Sequence, residues 1–315
     1  MTQWAVVFPG QGSQTVGMLA DIAEHYPVVQ QTYAEASDAL GFDLWHMTLN
    51  GPASALDQTE NTQPALLAGG VAIHRILMQR FPELNKALLA GHSLGEYTAL
   101  VCAGALSFAD AIQLVAARGR FMQAAVPAGT GAMAAIIGLD EASVLSVCEA
   151  AKTGTEVLSP ANYNSIGQIV IAGDAAAVER ALVLAKEKGA KMAVPIPVSV
   201  PSHCALMQPA AEQLATLLEK TTINTPKATV FSNVDVTPYT TETGIRDGLV
   251  RQLVSPVRWV ETVQAFQAKG VTHVIECGPG KVLTGLMKRI DKSLTLLCTA
   301  DLSNLNAVLT ASVGV

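Results

Sequence analysis

The most constraining stretch of the chain is the sequence GHSLG at residues 91–95. A brief apolar run, 87–90, precedes it, and a helical pattern through Cys102 follows it, which together predict a strand, a sharp turn and a helix. A GxSxG turn of this kind holds its serine in a strained conformation, and the two glycines leave room for neighbouring backbone. Ser93 is therefore a candidate nucleophile at a helix N-terminus. The alternative is an ordinary glycine-rich turn.

The order of predicted elements indicates an α/β fold class. Residues 4–8 form a short apolar strand pattern, followed by helical patterns over 16–40 and 62–80. Between about 130 and 197 the predicted order is βαββαβ, the order of a ferredoxin-like split βαβ unit. Its predicted strands are 132–137, 156–163, 168–172 and 191–196, and its predicted helices are 140–151 and 174–188.

Prolines on both sides of this unit indicate an inserted domain. We expect a large α/β-hydrolase-like domain formed by residues 1–127 and 198–315, with a small ferredoxin-like domain at 128–197. The returning chain predicts, in order, a helix at 204–220, a strand near 228–231, a strand at 274–276, and a strand and a helix after 294.

Composition excludes several classes of partner. Among 315 residues half are hydrophobic and 15% are charged, and the formal net charge is -6, which argues against nucleic acid and anionic membranes as partners. The five cysteines contain no CxxC pair, so neither a disulfide framework nor a metal site is expected. The sequence begins without a signal-peptide pattern and has no long apolar run. We expect a cytoplasmic protein and, by default, a monomer.

Two glycine-rich segments invite a nucleotide interpretation that their spacing rejects. After Gly10 and Gly12, the dinucleotide fingerprint GxGxxG requires a glycine where Thr15 stands. The segment GPGK at 278–281 lacks the earlier glycine and the following Ser or Thr of a P-loop. We therefore expect no cofactor. Gln11, flanked by glycines, could instead present an amide or a backbone donor to an oxyanion.

A serine hydroxyl needs a base, and His203 is the best candidate among six histidines. It lies where a proline-rich segment enters a helix, whereas His92 adjoins the serine and consecutive turn residues usually point apart. The backbone N–H of Leu94 follows the serine and could stabilise an oxyanion. Arg118 lies on an apolar helical stretch, and the pattern alone favours a solvated side chain. If it points inward, it would select an acidic acyl group.

Five segments, taken together, resemble the malonyl-CoA:acyl carrier protein transacylases of bacterial type II fatty acid synthesis. The likeness spans essentially the whole chain, in order, and the predicted βαββαβ insertion matches the small domain of that family. The five segments are FPGQGSQ at 8–14, GHSLGEY at 91–97, AARGRFM at 116–122, PSHCALM at 201–207 and GPGKVLTGL at 278–286.

The resemblance implies a role for each matching catalytic residue. Ser93 would be the nucleophile and His203 the general base and acid. The backbone N–H groups of Gln11 and Leu94 would form the oxyanion hole. A backbone carbonyl at Gln252 would hold the histidine where other enzymes use an aspartate, so that serine and histidine act as a dyad.

The resemblance also implies the substrates. Arg118 would bind the malonyl carboxylate, and Asn162 and Asn164 would line the cleft from the small domain. Malonyl-CoA would acylate the serine, and holo acyl carrier protein would then take the malonyl group in a ping-pong reaction. The rival interpretation is a serine hydrolase, an esterase or thioesterase, because GxSxG and a histidine fit that class as well.

Overall fold

A computed structural model describes residues 3–198 and 200–311. The outer ends of the predicted large domain, at residues 1 and 315, lie outside the described residues. The strands are β1 (Gln3–Phe8), β2 (Leu88–Gly91), β3 (Gly131–Ile137), β4 (Leu158–Ser165), β5 (Gln168–Asp174), β6 (Met192–Ile196), β7 (Val271–Glu276) and β8 (Thr295–Cys298).

The chain also forms fourteen α-helices among the described residues, and two short 3-10 helices lie at Pro82–Lys86 and Ala205–Met207. The α-helices are α1 (Ala20–Ala23), α2 (Val28–Leu40), α3 (Leu44–Asn50), α4 (Ala53–Leu56), α5 (Thr59–Arg80), α6 (Gly95–Cys102), α7 (Phe108–Ala125), α8 (Glu141–Ala151), α9 (Ala175–Glu187), α10 (Gln208–Lys220), α11 (Glu242–Val254), α12 (Trp259–Ala268), α13 (Val282–Ile290) and α14 (Leu302–Thr310).

A parallel sheet forms the centre of the larger part, with strand order β2-β1-β7-β8. Side chains of β1 alternate between the two faces, because successive residues of a strand point in opposite directions. Val6 and Phe8 join an apolar cluster with α5, α6 and α7, while Ala5 and Val7 join a second cluster with α12 and α13. Helices therefore cover both faces, as a parallel sheet requires.

An antiparallel sheet forms the smaller part, with strand order β4-β5-β3-β6. The predicted βαββαβ order of elements is observed here. Both helices, α8 and α9, pack on one face through residues such as Val144 and Ala181. Met133 and Val170 lie on the opposite face, which is turned towards the parallel-sheet part. One face of this sheet is therefore left to line a cleft.

The two parts are joined at β4. The backbone N–H of Tyr163 donates to the carbonyl of Val257 over 2.9 Å, and the N–H of Val257 donates to the carbonyl of Ala161 over 2.9 Å. Val257 lies between α11 and α12 of the parallel-sheet part. The antiparallel sheet is thus fixed beside the carboxyl ends of β1 and β2, where ligands bind in parallel α/β folds.

Local differences from the predicted elements have plain causes. The pattern over 16–40 forms two helices rather than one, because Pro27 lacks an N–H and begins a new helix. The helix predicted at 204–220 begins at Gln208, after an extended Cys204 and a 3-10 turn. The strand predicted near 228–231 is wrong. The chain there makes two isolated bridges instead, from Val230 to Leu89 of β2 and from Phe231 to Pro238.

Within residues 3–198 and 200–311, no helix combines the length and the apolar character that crossing a bilayer requires.

Candidate active site

The turn between β2 and α6 presents Ser93, with its backbone at φ 51°, in the left-handed region. Glycines make this turn possible. A Cβ at Gly91 would lie 1.8 Å from the carbonyl carbon of Gly95, and a Cβ at Gly95 would lie 2.1 Å from the carbonyl oxygen of Phe8. No larger residue fits these positions. The strand–turn–helix predicted from GxSxG is therefore present, with its serine at the tip.

His203 contacts both the serine and the backbone of α11. Its Nε2 lies 2.8 Å from Ser93 Oγ, and its Nδ1 lies 2.7 Å from the carbonyl oxygen of Gln252. A carbonyl oxygen only accepts hydrogen bonds, so Nδ1 must carry the proton. Nε2 is then free to accept the proton of the serine hydroxyl. This geometry holds the imidazole in the tautomer that a base requires.

The electrostatic surroundings keep that imidazole neutral. Burial is the main cause, followed by the positive charge of Arg118, and together they lower the pKa of His203 from 6.5 to about 3. His203 is 3% exposed, and its backbone is also in the left-handed region, at φ 64°. Two strained residues therefore face each other across one hydrogen bond, as is common at functional sites.

Arg118 points inward from α7, with 1% of its surface exposed. Its Nη1 donates to Gln63 Oε1 over 2.8 Å. Its Nη2 donates to Gln252 Oε1 over 2.9 Å and lies 3.3 Å from Ser93 Oγ. The pattern alone predicted that Arg118 is solvated, and that prediction is wrong. The exposed arginine of this helix is Arg120. Among the described residues, Arg118 Nε has no hydrogen-bond partner.

Two backbone N–H groups, those of Gln11 and Leu94, belong to residues that line the cleft with the serine. Leu94 begins the turn into α6, and Gln11 follows β1; both line the same cleft as Ser93. Neither backbone N–H donates to an acceptor among residues 3–198 and 200–311. The side chain of Gln11 is engaged elsewhere, since its Nε2 donates to Thr59 Oγ1 over 3.5 Å. The two N–H groups are thus available to an oxygen of a bound ligand.

The antiparallel sheet contributes Asn162 and Asn164 from β4. Asn164 Oδ1 accepts a hydrogen bond from His92 Nε2 over 2.8 Å, and the ring of His92 meets Trp259 edge-on. The side chain of His92 therefore contacts residues of the cleft wall. Desolvation lowers its pKa, so it is neutral as well.

These residues surround a cleft of about 560 Å³ between the two sheets. Ser93 and Arg118 supply polar groups, and apolar side chains such as Met122 and Val198 form much of the wall. Seven of the eight predicted site residues line the cleft. The eighth, Gln252, lies fully buried behind them. No cluster of three or more metal-binding side chains occurs in the described part of the chain.

A family model described as "Acyl transferase domain" matches residues 5–307. This chain belongs to the acyl transferase family. Its full-length relatives include malonyl CoA-acyl carrier protein transacylases of Haemophilus influenzae, 59% identical over 98% of both chains, and of Escherichia coli K12, 59% identical over 98% of this chain and 99% of the other. The resemblance read from the five motifs is confirmed.

Solved acyl transferase structures share the fold. An acyl carrier protein S-malonyltransferase from Vibrio cholerae is 58% identical, covers 98% of this chain and all of its own, and superposes with a TM-score of 0.94. A malonyl-transacylase in complex with its type II PKS acyl-carrier protein is 53% identical, covers 98% of this chain and 99% of its own, and also gives 0.94. The α/β fold class is therefore confirmed.

Sequence reasoning about this acyl transferase missed a buried layer beneath the site. Asn233 Oδ1 accepts from the N–H of Ser93 over 2.8 Å, and its Nδ2 donates to the carbonyl of Gly91 over 2.6 Å, which braces the turn. Gln63 holds Arg118 from α5. Neither residue stood in a motif. Glu96 did, three residues after the serine, and a charged residue on an otherwise apolar helix was a signal that could have been used.

Glu96 is fully buried and accepts three hydrogen bonds. Tyr239 Oη donates to its Oε1 over 2.6 Å, the N–H of Asn233 donates to the same oxygen over 3.2 Å, and Gln252 Nε2 donates to Oε2. Burial raises the pKa of Glu96 to about 7, while these donors and the charge of Arg118 oppose the rise. Glu96 makes no hydrogen bond to His203, whose Nδ1 instead faces the backbone carbonyl of Gln252.

Proposed function

We propose that the chain transfers a malonyl group from malonyl-CoA to the phosphopantetheine thiol of holo acyl carrier protein, through a malonyl ester on Ser93. The reaction would supply malonyl units to fatty acid biosynthesis. The activity for which the relatives are named supports the substrate pair, and the similar structure solved with an acyl-carrier protein supports the macromolecular partner.

The position of Arg118 is the observation that supports a malonyl group as the acyl group. The guanidinium of Arg118 is buried beside Ser93 Oγ, and none of the ion pairs among the described residues includes it. A carboxylate on the acyl group would pair with it at this point. An acetyl group would leave the cation unpaired, at a cost of about 2–5 kcal/mol. A carboxylated acyl group is therefore favoured over a plain one.

In the first half-reaction, His203 Nε2 takes the hydroxyl proton as Ser93 Oγ attacks the thioester carbonyl carbon. The N–H groups of Gln11 and Leu94 stabilise the oxyanion of the tetrahedral intermediate. The carbon–sulfur bond then breaks, and the thiolate of coenzyme A receives the proton from His203. The carbonyl of Gln252 holds the imidazolium, although a neutral carbonyl stabilises it less than a carboxylate does.

In the second half-reaction the thiol of the carrier replaces coenzyme A. His203 takes the thiol proton, the sulfur attacks the malonyl ester, and Ser93 Oγ leaves with the proton that His203 returns. Asn162 and Asn164 would position the thioester arm from the opposite wall. Apolar side chains along the cleft favour thiol over water by limiting solvent at the ester.

We also propose that the two sheets mark two domains: a hydrolase-like domain of 1–127 and 198–315, and a ferredoxin-like domain of 128–197. The antiparallel sheet with both helices on one face supports the second description. A cytoplasmic location, a monomeric state and the lack of nucleic acid partners remain predictions from composition.

The test is the intact mass of the protein after brief exposure to malonyl-CoA without carrier. We expect a malonyl adduct on the wild type and none on Ser93→Ala. Arg118→Ala should lose malonyl labelling while acetyl-CoA still labels it, whereas Arg120→Ala, which alters an exposed arginine on the same helix, should behave as wild type.

Two outcomes would contradict the proposal. Release of free malonate without a lasting adduct, at a rate that exceeds transfer to carrier, would identify a serine hydrolase. Equal loss of malonyl and acetyl labelling in Arg118→Ala would show that the arginine does not select the acyl group.

A further inference from the structure

The side-chain amide of Gln252 lies between the two buried charges of the site. Its Oε1 accepts from Arg118 Nη2 over 2.9 Å. Its Nε2 donates to the carbonyl of Ser93 over 3.0 Å and to the carboxylate of Glu96. Gln252 is completely buried, so these protein groups take the place of water around the amide. The amide therefore connects Glu96 to the arginine that faces the substrate.

Only one orientation of this amide satisfies its neighbours. Rotating it by half a turn would place the NH₂ group against the guanidinium, two donors in contact, and the oxygen against a carboxylate and a carbonyl, three acceptors in contact. Such mismatches are costly where water cannot relieve them. Glu96 and the Ser93 carbonyl thus determine that the oxygen of Gln252 faces Arg118.

We propose that Glu96 is a positioning residue for acyl selection: it orients the Gln252 amide, which in turn holds Arg118 in place to receive the carboxylate of the acyl group. The inference rests on the proposed transfer of malonyl groups. Glu96 touches no substrate in this arrangement and acts through Gln252.

The indirect connection explains how Arg118 stays available. A carboxylate in direct contact would neutralise the guanidinium and compete with the malonyl group. Glu96 instead supplies its negative charge from behind an amide, and it raises the pKa of Arg118 against the lowering that burial causes. The Nε of Arg118 is buried and has no hydrogen-bond partner among the described residues, so the guanidinium keeps unused hydrogen-bonding capacity. Arg118 is therefore held in position without forming a direct ion pair with a carboxylate of the protein.

Glu96 itself is supported independently of the substrate. Tyr239 and the backbone of Asn233 fix its other oxygen, and both lie in the segment that precedes α11. All three contacts donate to Glu96 and favour its ionised form, while burial opposes them and raises the pKa of Glu96 to about 7. The carboxylate is thus a rigid acceptor against which the amide is set.

The test is the isosteric change Glu96→Gln, measured as the ratio of kcat/KM for malonyl-CoA to that for acetyl-CoA. A glutamine at this position can face the amide with its own NH₂ group and drive the flip. We expect the ratio to fall about tenfold or more, chiefly through a higher KM for malonyl-CoA. Glu276→Gln, which removes a fully buried carboxylate at the start of α13, should leave the ratio unchanged.

A double-mutant cycle with Gln252→Met shows whether the effect passes through the amide. Methionine keeps the length and the backbone carbonyl but has no amide. Gln252→Met alone should lower the ratio, and adding Glu96→Gln to it should change the ratio by less than about twofold. If Glu96→Gln does not fold, as judged by circular dichroism, the ratio in Gln252→Met decides the matter.

The failures are distinguishable. A wild-type ratio near one overturns the proposed function together with this inference. A large wild-type ratio that Glu96→Gln retains, or that Gln252→Met retains, overturns the inference alone. Equal effects of Glu96→Gln in the wild-type and Gln252→Met backgrounds would overturn the route through the amide.

Discussion

The two walls of the cleft differ in how firmly their polar groups are held. On the parallel-sheet wall, Ser93, His203 and Arg118 each make hydrogen bonds to buried partners that are themselves bonded. On the antiparallel-sheet wall, Asn164 makes a hydrogen bond to one side chain, and apolar residues such as Met133 line the same wall. Bond making requires atoms fixed to within a fraction of an ångström, whereas enclosing a substrate requires mainly shape.

This contrast predicts different consequences of substitution. Changes to Ser93 or His203 on the parallel-sheet wall should reduce kcat, and changes to the turn glycines should reduce the stability of the fold. Changes on the antiparallel-sheet wall should raise KM and leave the chemical step nearly intact. The predictions that follow test that separation.

Loss of the imidazole should have the largest effect. We expect His203→Ala to lower kcat/KM for malonyl transfer about 10⁴-fold or more, because Ser93 then has no base. Transfer to carrier is measured by steady-state kinetics. His25→Ala, which alters an exposed histidine, is the matched control. A fall of less than tenfold would mean that another group removes the proton.

Substitution of a turn glycine should have the next largest effect, and that effect should be on the stability of the fold rather than on the rate. Gly95→Ala places a Cβ 2.1 Å from the Phe8 carbonyl oxygen, and we expect it to lower the free energy of unfolding by about 3 kcal/mol. Gly154→Ala lies in the antiparallel-sheet part, where a Cβ meets no described heavy atom within 4 Å, and the strain of its φ of 58° should cost about 1 kcal/mol. Urea unfolding measures the free energy of unfolding of both variants. Equal losses of stability would contradict the close approach of Gly95 to the Phe8 carbonyl.

A smaller effect is expected from the opposite wall. Asn164→Ala removes the acceptor for His92 and one polar group of the cleft, so KM for malonyl-CoA should rise about threefold to tenfold. The value of kcat should stay within about twofold of wild type. A hundredfold loss in kcat would place Asn164 in the chemical step and end the separation of the two walls.

The smallest effect concerns pH. Because burial and Arg118 lower the pKa of His203 to about 3, the base remains neutral well below its ordinary 6.5. The rate of Ser93 acylation by acetyl-CoA should therefore change by less than about twofold between pH 8 and pH 6, as followed by intact mass. A tenfold fall centred near pH 6.5 would mean that His203 titrates as it does in water.

The sequence indicated the parts of the site that depend on local pattern. GxSxG after an apolar run predicts a turn whose glycines are required by short-range geometry. The strand at residues 4–8 and the βαββαβ order follow from the pattern of apolar residues. The inward position of Arg118 is not a local property. An arginine on an apolar helix is equally compatible with solvent, and only the packing of α7 against α5 makes it face Ser93.

The buried polar residues under the site could not be predicted from the sequence either, because their contacts are not local. Asn233 lies 140 positions from Ser93 along the chain and Gln252 lies 156 from Glu96, so their meeting depends on the whole topology. Gln252 was found only through resemblance, and its side-chain role was not foreseen. Periodicity reveals which face of an element is buried but not which polar groups will meet there.

The acceptor that orients His203 is a main-chain oxygen of α11, and this makes it robust to mutation. A codon change that removes an aspartate side chain would disable a triad in one step. Every amino acid at position 252 still carries a carbonyl, so no single substitution there can delete this partner of the imidazole. The side chain at position 252 can therefore vary while the histidine keeps its hydrogen-bond acceptor.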